Sequence, residues 1–334
     1  MGTRNPADRV SSVGDGRVRL LYVGGAGRSG STLLDLLLSE VPGMFAAGEV
    51  RYLWNRGVRD NELCGCGQSF LSCPFWSAVG ERAFGGWAKV DVEEVLSWQR
   101  VVDSHLRIPF MARSRPGSGF GEARHRFVDV LERLYGAIAE ISGADVLVDS
   151  TKRPASAFLL ASVPSFDVRF VQLVRDSRGV AFSWSKRVQR PEVVDRVELM
   201  PRYSSLQAAA RWTANNSLFD LLAARGVPGI RVRYESLIDA PARELERMTN
   251  LAGIEGGPES LAFLDQGQVA LHTNHVVAGN PLRLRGTLEL RRDEAWRVDM
   301  GRRQRSLVLF LTWPLLLRYG YLGGAAGKQV NLPA

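Results

Sequence analysis

The stretch VRLLYVGGAGRSGSTLL, residues 18 to 34, constrains the chain more than any other. An apolar run from 18 to 25 ends in glycines and leads into a helical pattern with Leu33, Leu34, Leu37 and Leu38 on one face. The segment therefore predicts a strand, a tight loop and a helix. Glycines 24, 25, 27 and 30 let the backbone bend and aim amide hydrogens at an anion, and the following helix presents its positive end to the same point. A group the size of a phosphate belongs there. Against the pattern G-x-x-x-x-G-K-[ST], Gly25 and Gly30 fit, but Ser31 stands where the lysine should be and Arg28 lies inside the loop. The charge contact that a nucleoside triphosphatase makes to the terminal phosphates is missing.

Three further runs, ADVLVDS (144 to 150), VRFVQLVRD (168 to 176) and IRVRYESL (230 to 237), are valine-rich or bounded by polar residues and predict strands. Strands alternating with helical segments predict a three-layer α/β fold around a central parallel sheet. More than 110 residues separate the run at 18 to 25 from ADVLVDS, too many for a simple crossover. VEEVLSWQRVVDSHL and RFVDVLERLYGAIAEI predict helices there, and residues 55 to 140 read as a helical insertion that forms part of an acceptor pocket. With no repeat or low-complexity linker, residues 18 to 323 read as one domain, flanked by a flexible tail at 1 to 17 and another at 324 to 334. The apolar stretch LVLFLTWPLLLRYGYL (307 to 322) is shorter than a membrane span of about 20 residues and is interrupted by Pro314 and Arg318, so a buried terminal helix is expected rather than a transmembrane segment. The opening residues lack the apolar core of a secretory signal, which predicts a cytoplasmic location.

The formal net charge is +8, and the basic side is almost all arginine, with lysine only at 89, 152, 186 and 328. Arginine's planar fork suits phosphate or sulfate, although only arginines within a motif count as evidence. No zinc-finger spacing, basic zipper or RNA-recognition signature accompanies the charge, so no nucleic-acid partner is expected. The three cysteines, Cys64, Cys66 and Cys73, all fall in CGCGQSFLSCPFW. A structural zinc site needs a fourth ligand, and no histidine lies nearby in sequence, so buried thiols or an adventitious disulfide are expected and no metal.

A second motif, LVRDSRGVAFSW, places Arg175 at a strand end and Ser183 eight residues on, in a following helix. At about 3.6 residues per turn the serine is able to face back and share an anion with the arginine. Two anion sites at strand ends suit a nucleotide with phosphates at both ends. GAGRSGSTLL with VRDSRGVAFS resembles the sulfotransferases that use 3'-phosphoadenosine 5'-phosphosulfate (PAPS), and looks most similar to the tyrosylprotein and bacterial carbohydrate-type branches, from about residue 18 to 322.

The resemblance implies a P-loop-like fold, PAPS as sulfonate donor with PAP as its product, no metal, and a small-molecule or glycan acceptor. It implies that Gly27, Arg28, Ser29, Gly30, Ser31 and Thr32 bind the 5'-phosphosulfate while Arg175 and Ser183 bind the 3'-phosphate. Tyr234 in RVRYESL and Trp212 in ARWTANN become candidates to approach or stack on the nucleotide, with core packing an equal alternative for both. HVVAGNPLRLRG (275 to 286) is similar to a late loop of the bacterial branch, in which Arg283 and Arg285 would close over phosphates and Asn280 would shape the turn.

Sulfonyl transfer needs an aligned acceptor, a base for its proton and cations where charge builds. Arg28 and Lys152 fit the cation roles, Lys152 following VLVDST at a strand end as a lysine does in the tyrosylprotein branch. Glu49 in AAGEVRYLW stands roughly where that branch has its catalytic glutamate, and the bland alternative is an exposed carboxylate paired with Arg51. Asp149 reads as structural. His105, His125, His272 and His275 remain rival bases. A P-loop small-molecule kinase and a non-catalytic anion-binding protein remain open as alternatives, and the acceptor and oligomeric state are not legible.

Overall fold

In the computed structural model, residues 16–111, 119–193, 197–254, 258–264 and 268–322 are described. The terminal tails expected at 1 to 17 and 324 to 334 fall almost wholly outside them. Five strands, β1 (Val18–Gly25), β2 (Met44–Gly48), β3 (Val146–Lys152), β4 (Phe166–Val174) and β5 (Gly229–Arg233), form a sheet in the order β2-β3-β1-β4-β5. Every neighbouring pair in it runs parallel. A small antiparallel pair, β6 (Gln268–Ala270) and β7 (Thr287–Glu289), lies apart from it.

The helices are α1 (Ser31–Ser39), α2 (Pro74–Phe84), α3 (Val92–Val102), α4 (Gly119–Ser142), α5 (Pro154–Ala161), α6 (Ser177–Ser185), α7 (Ser205–Ala224), α8 (Tyr234–Asp239), α9 (Pro241–Ala252), α10 (Trp296–Asp299) and α11 (Arg302–Arg318). Side chains of β1 alternate between two cores, as strand geometry requires. Leu20 and Tyr22 join Trp54, Trp76, Ile138 and Phe219 on the face that the insertion covers. Leu21 and Val23 join the leucines of α1 and Leu245 and Met248 of α9 on the other. This is the predicted three-layer α/β arrangement, with α2, α3 and α4 supplying the helical insertion.

Three local expectations need correction. MFAAG forms the edge strand β2, which the sequence pattern does not announce because two alanines and a glycine carry little strand propensity. The fourth predicted strand ends at Arg233, where Tyr234 opens the short helix α8. The terminal helix α11 is buried on one face only: Val308, Thr312 and Leu316 pack inward while Phe310 and Trp313 are 74% and 51% exposed. No helix among the described residues is long and apolar enough to cross a membrane.

Because β1 lies between β3 and β4, the strand order reverses around it, and a crevice opens outside the carboxyl ends at such a point. The register brings Gly24 level with Lys152, Gly25 level with Leu173, and Gly48 level with Asp149. Thus the glycine loop, Glu49, Lys152 and Arg175 all leave the sheet along one edge.

Candidate active site

The loop between β1 and α1 bends through positive φ at Gly25 (129°), Arg28 (71°) and Gly30 (96°). An arginine in the left-handed region is uncommon, and such strain gathers at functional sites. Glycine is required at two points for contact as well as conformation. A Cβ on Gly27 would stand 2.7 Å from the Trp184 ring, and one on Gly30 would stand 2.6 Å from the Tyr234 ring. The two aromatic rings thereby wall the loop.

Arg28 lies 5.0 Å from the Trp184 ring centroid, and its Nη2 reaches Met200 Sδ at 2.9 Å. Burial lowers its pKa, and the nearby Glu49 charge opposes that shift. Arg28 Nε and Ser29 Oγ are buried without a hydrogen-bond partner. Helix α1 starts with no side-chain cap and no acid in its first turn. Orphaned donors around a glycine turn at an uncapped helix start are the chemistry of an anion cradle, so the donor set fits an anion the size of a phosphate or sulfate.

Glu49 follows β2 directly, and its carboxylate Oε1 lies 2.6 Å from Lys152 Nζ, both side chains mostly shielded from solvent. The pairing with Arg51 does not form; Arg51 instead pairs with Asp103. Lys152 also has positive φ (65°). Asp149 is satisfied by Thr151 N at 2.9 Å, Thr151 Oγ1 at 2.6 Å and Tyr135 Oη at 2.6 Å, and burial raises its pKa. Its hydrogen bonds shape the end of β3, the structural role read from the sequence. The segment at 277 to 280 covers this corner: Glu49 N donates to Val277 O (2.9 Å), and Asn280 N donates to Thr32 Oγ1 (3.1 Å).

Arg175 donates to Arg28 O (3.3 Å) and Asp293 O (2.8 Å), pairs with the Asp293 carboxylate (3.2 Å), and stacks 4.7 Å from the Tyr234 ring centroid. The structure therefore joins the two anion motifs through one guanidinium. Ser183 lies half-buried on α6. A cavity of about 340 Å³ adjoins the cluster, with Tyr234, Asp293, Arg178 and Trp296 in its wall.

Two candidates sit elsewhere than the resemblance implies. Trp212 is 1% exposed, and its indole N–H donates to Arg175 O (3.0 Å), so it has no open face for stacking and instead anchors Arg175. Arg283, also 1% exposed, donates to Val276 O (3.3 Å) and lies among the charges of Glu192, Cys64 and Glu62 rather than over the loop. Among the histidines, His275 faces Cys73 and Cys64, His272 pairs with Glu40, and His125 lies 3.7 Å from Asp129. Burial lowers the pKa of His105, whose charged neighbours are Arg153 and Asp103. Sequence reasoning missed Asp293, Trp184 and Met200; only Trp184, inside the Arg175 motif, stood where a signal pointed.

No protein-family model matches the sequence, and no curated protein matches it. Solved structures do. The sulfotransferase domain of the Synechococcus PCC 7002 olefin synthase aligns with a TM-score of 0.51 at 17% identity, over 92% of this chain and 96% of that one. A sulfotransferase domain from the curacin biosynthetic pathway gives 0.48 at 15% over 88% and 96%, and sulfotransferase STF9 from Mycobacterium avium gives 0.40 at 14% over 90% and 76%. The chain has the α/β fold of a sulfotransferase domain.

Proposed function

We propose that the protein is a sulfotransferase that uses PAPS to sulfonate a hydroxyl of a carbohydrate, glycolipid or small natural product. The observation that carries this reading is the convergence of the lysine-less glycine loop, the Glu49–Lys152 pair and Arg175 on one edge of a parallel sheet. The fold shared with a sulfotransferase domain agrees with it. Gly27 to Thr32 would hold the 5'-phosphosulfate, Arg175 and Ser183 the 3'-phosphate, and Tyr234 would border the nucleotide. When bound, PAPS supplies an activated sulfonate whose departure leaves PAP.

Glu49 would take the proton of the acceptor hydroxyl. Arg28 and Lys152 would stabilise negative charge at the leaving phosphate, where preorganised cations are worth most in a water-poor cleft. Asn280, bonded through its backbone to Thr32, shapes the covering turn. The insertion beside Glu49 would select the acceptor.

A kinase reading needs an acid free to hold magnesium, and the Asp149 carboxylate is already occupied by four donors. The test compares thermal stabilisation by 3',5'-ADP with that by ATP and magnesium, followed by transfer of labelled sulfonate from PAPS to cell-extract acceptors identified by mass. Preference for ATP overturns the reading. Binding of 3',5'-ADP without transfer to any acceptor would leave an anion-binding protein.

A further inference from the structure

The absence of a histidine near the cysteines in sequence is made good by the fold. Cys64, Cys66, Cys73 and His275 place one ligand atom each within 4.8 Å of all the others. We infer that these four residues bind a structural zinc ion, at a site separate from the donor cleft.

Geometry excludes a disulfide and matches the edges of a tetrahedral metal site. With Zn–S near 2.3 Å and Zn–N near 2.0 Å, a tetrahedral site has S···S edges of about 3.8 Å and S···N edges of about 3.5 Å. The observed separations are 3.7 Å for Cys66–Cys73, 3.7 Å for Cys64–His275 Nδ1 and 3.3 Å for Cys73–His275 Nδ1. A disulfide would bring two sulfurs to about 2.0 Å, and all three cysteines are free.

The surroundings are those of a thiolate site. Gly67 bends the turn with φ of 85°, and a Cβ on Gly65 would strike Asn274 Oδ1 at 1.8 Å, so the turn seats against the segment that carries His275 only with glycine there. Cys73 is the N-cap of α2, where the helix dipole favours a thiolate. The imidazole is held by Phe75, stacked at 4.9 Å and 14°, and the His275 carbonyl accepts from Trp76 Nε1 at 3.0 Å.

Charge is compatible with the same site. Three thiolates, a neutral imidazole and Zn²⁺ carry a net charge of −1. Arg283, fully buried and with Nε and Nη2 unpartnered, lies in the field of Glu192 first and then of Cys64 and Glu62. Part of that buried cation's charge would face an anionic metal–thiolate centre, which favours the thiolate form of Cys64. The ion would tie the start of the insertion to the 275 to 280 segment, which contacts Glu49 and Thr32 through its backbone. It would thereby fix the cover of the active-site corner.

The full-length protein, purified reduced and without chelators, is expected to contain about one zinc per chain, released when its three thiols are modified. Cobalt substitution should give the thiolate charge-transfer and tetrahedral d–d absorption of a sulfur-rich site. His275→Cys should retain the metal with a changed cobalt spectrum, whereas Cys73→Ser should lose it. If Cys73→Ser fails to fold, the wild-type metal content and cobalt spectrum decide the question. Less than a tenth of an equivalent of zinc with no cobalt spectrum on titration overturns the site. So does a Cys66–Cys73 disulfide found by mass, or zinc removed from the wild type by simple dialysis. These readouts use no nucleotide, so failure of the zinc site and failure of the sulfotransferase reading are separate results.

Discussion

Lys152 Nζ meets Glu49 Oε1 at 2.6 Å, joining the carboxyl ends of two neighbouring strands beside the glycine loop. In the proposed sulfonate transfer, the pair would couple a proton acceptor to a cation. Glu49→Gln keeps the volume and a hydrogen-bonding oxygen while removing basicity. Turnover should fall by roughly 10²- to 10⁴-fold with donor affinity retained. Steady-state kinetics at saturating PAPS, with the unfolding midpoint measured alongside, check this; near-normal turnover would remove Glu49 from the role of base.

Lys152 carries both a charge and a strained backbone, and two substitutions separate them. Lys152→Gly relieves a left-handed conformation that costs an L-residue roughly 1–2 kcal/mol, whereas Lys152→Met keeps it. Both should lose about 10²-fold or more in turnover if the ammonium stabilises developing charge. The Gly variant should be the more stable of the two by about 1 kcal/mol, after its larger chain entropy is set against the relieved strain. Denaturant unfolding of both variants tests the strain, and retained turnover in either would show that the cation is not needed.

Arg175 should distinguish nucleotides by their 3' end. Arg175→Ala is expected to weaken 3',5'-ADP by about 1.5 to 3 kcal/mol, the range for a lost charged hydrogen bond, with much less effect on 5'-AMP. Trp212→Phe, which removes the N–H holding Arg175 O, should reduce the same discrimination in part. Calorimetric titration with both ligands is the measurement. Equal weakening of both by Arg175→Ala would show that the arginine does not read the 3'-phosphate.

The parts of this site that were legible in the sequence are those written by local chemistry. The glycine spacing from 24 to 30, Arg175 closing an apolar run and Lys152 ending another all depend on neighbours in the chain. What was hidden depends on partners far along it. His275 reaches Cys73 across 202 residues, so counting ligands within the cysteine turn fell one short. Trp212 and Arg283 occur in motif-like segments, yet burial decides what they touch, and no pattern marks a tryptophan that supports an arginine rather than a base. The edge strand β2 escaped because Ala46, Ala47 and Gly48 pack against neighbours that periodicity does not reveal.

Asp35 offers a prediction in pH. Burial pushes its carboxyl up to about 7, against the opposing hydrogen bond from Ser150 and the Lys152 charge. The folded value exceeds the unfolded one, so the native state binds the proton more tightly. Its contribution to stability is complete below about pH 4, the ordinary aspartate range, and declines as the pH rises to about 7. Each unit in that window corresponds to about 1.4 kcal/mol. Asp35→Asn has no such proton to lose. Between pH 5 and pH 8 the unfolding free energy of the wild type should therefore fall by roughly 2 to 3 kcal/mol relative to the variant. Denaturant titrations of both proteins across this range measure the difference directly, cancelling groups that titrate alike in each. Parallel curves would mean that Asp35 ionises as readily in the folded chain as in the unfolded one, and that the α1 core accommodates its charge.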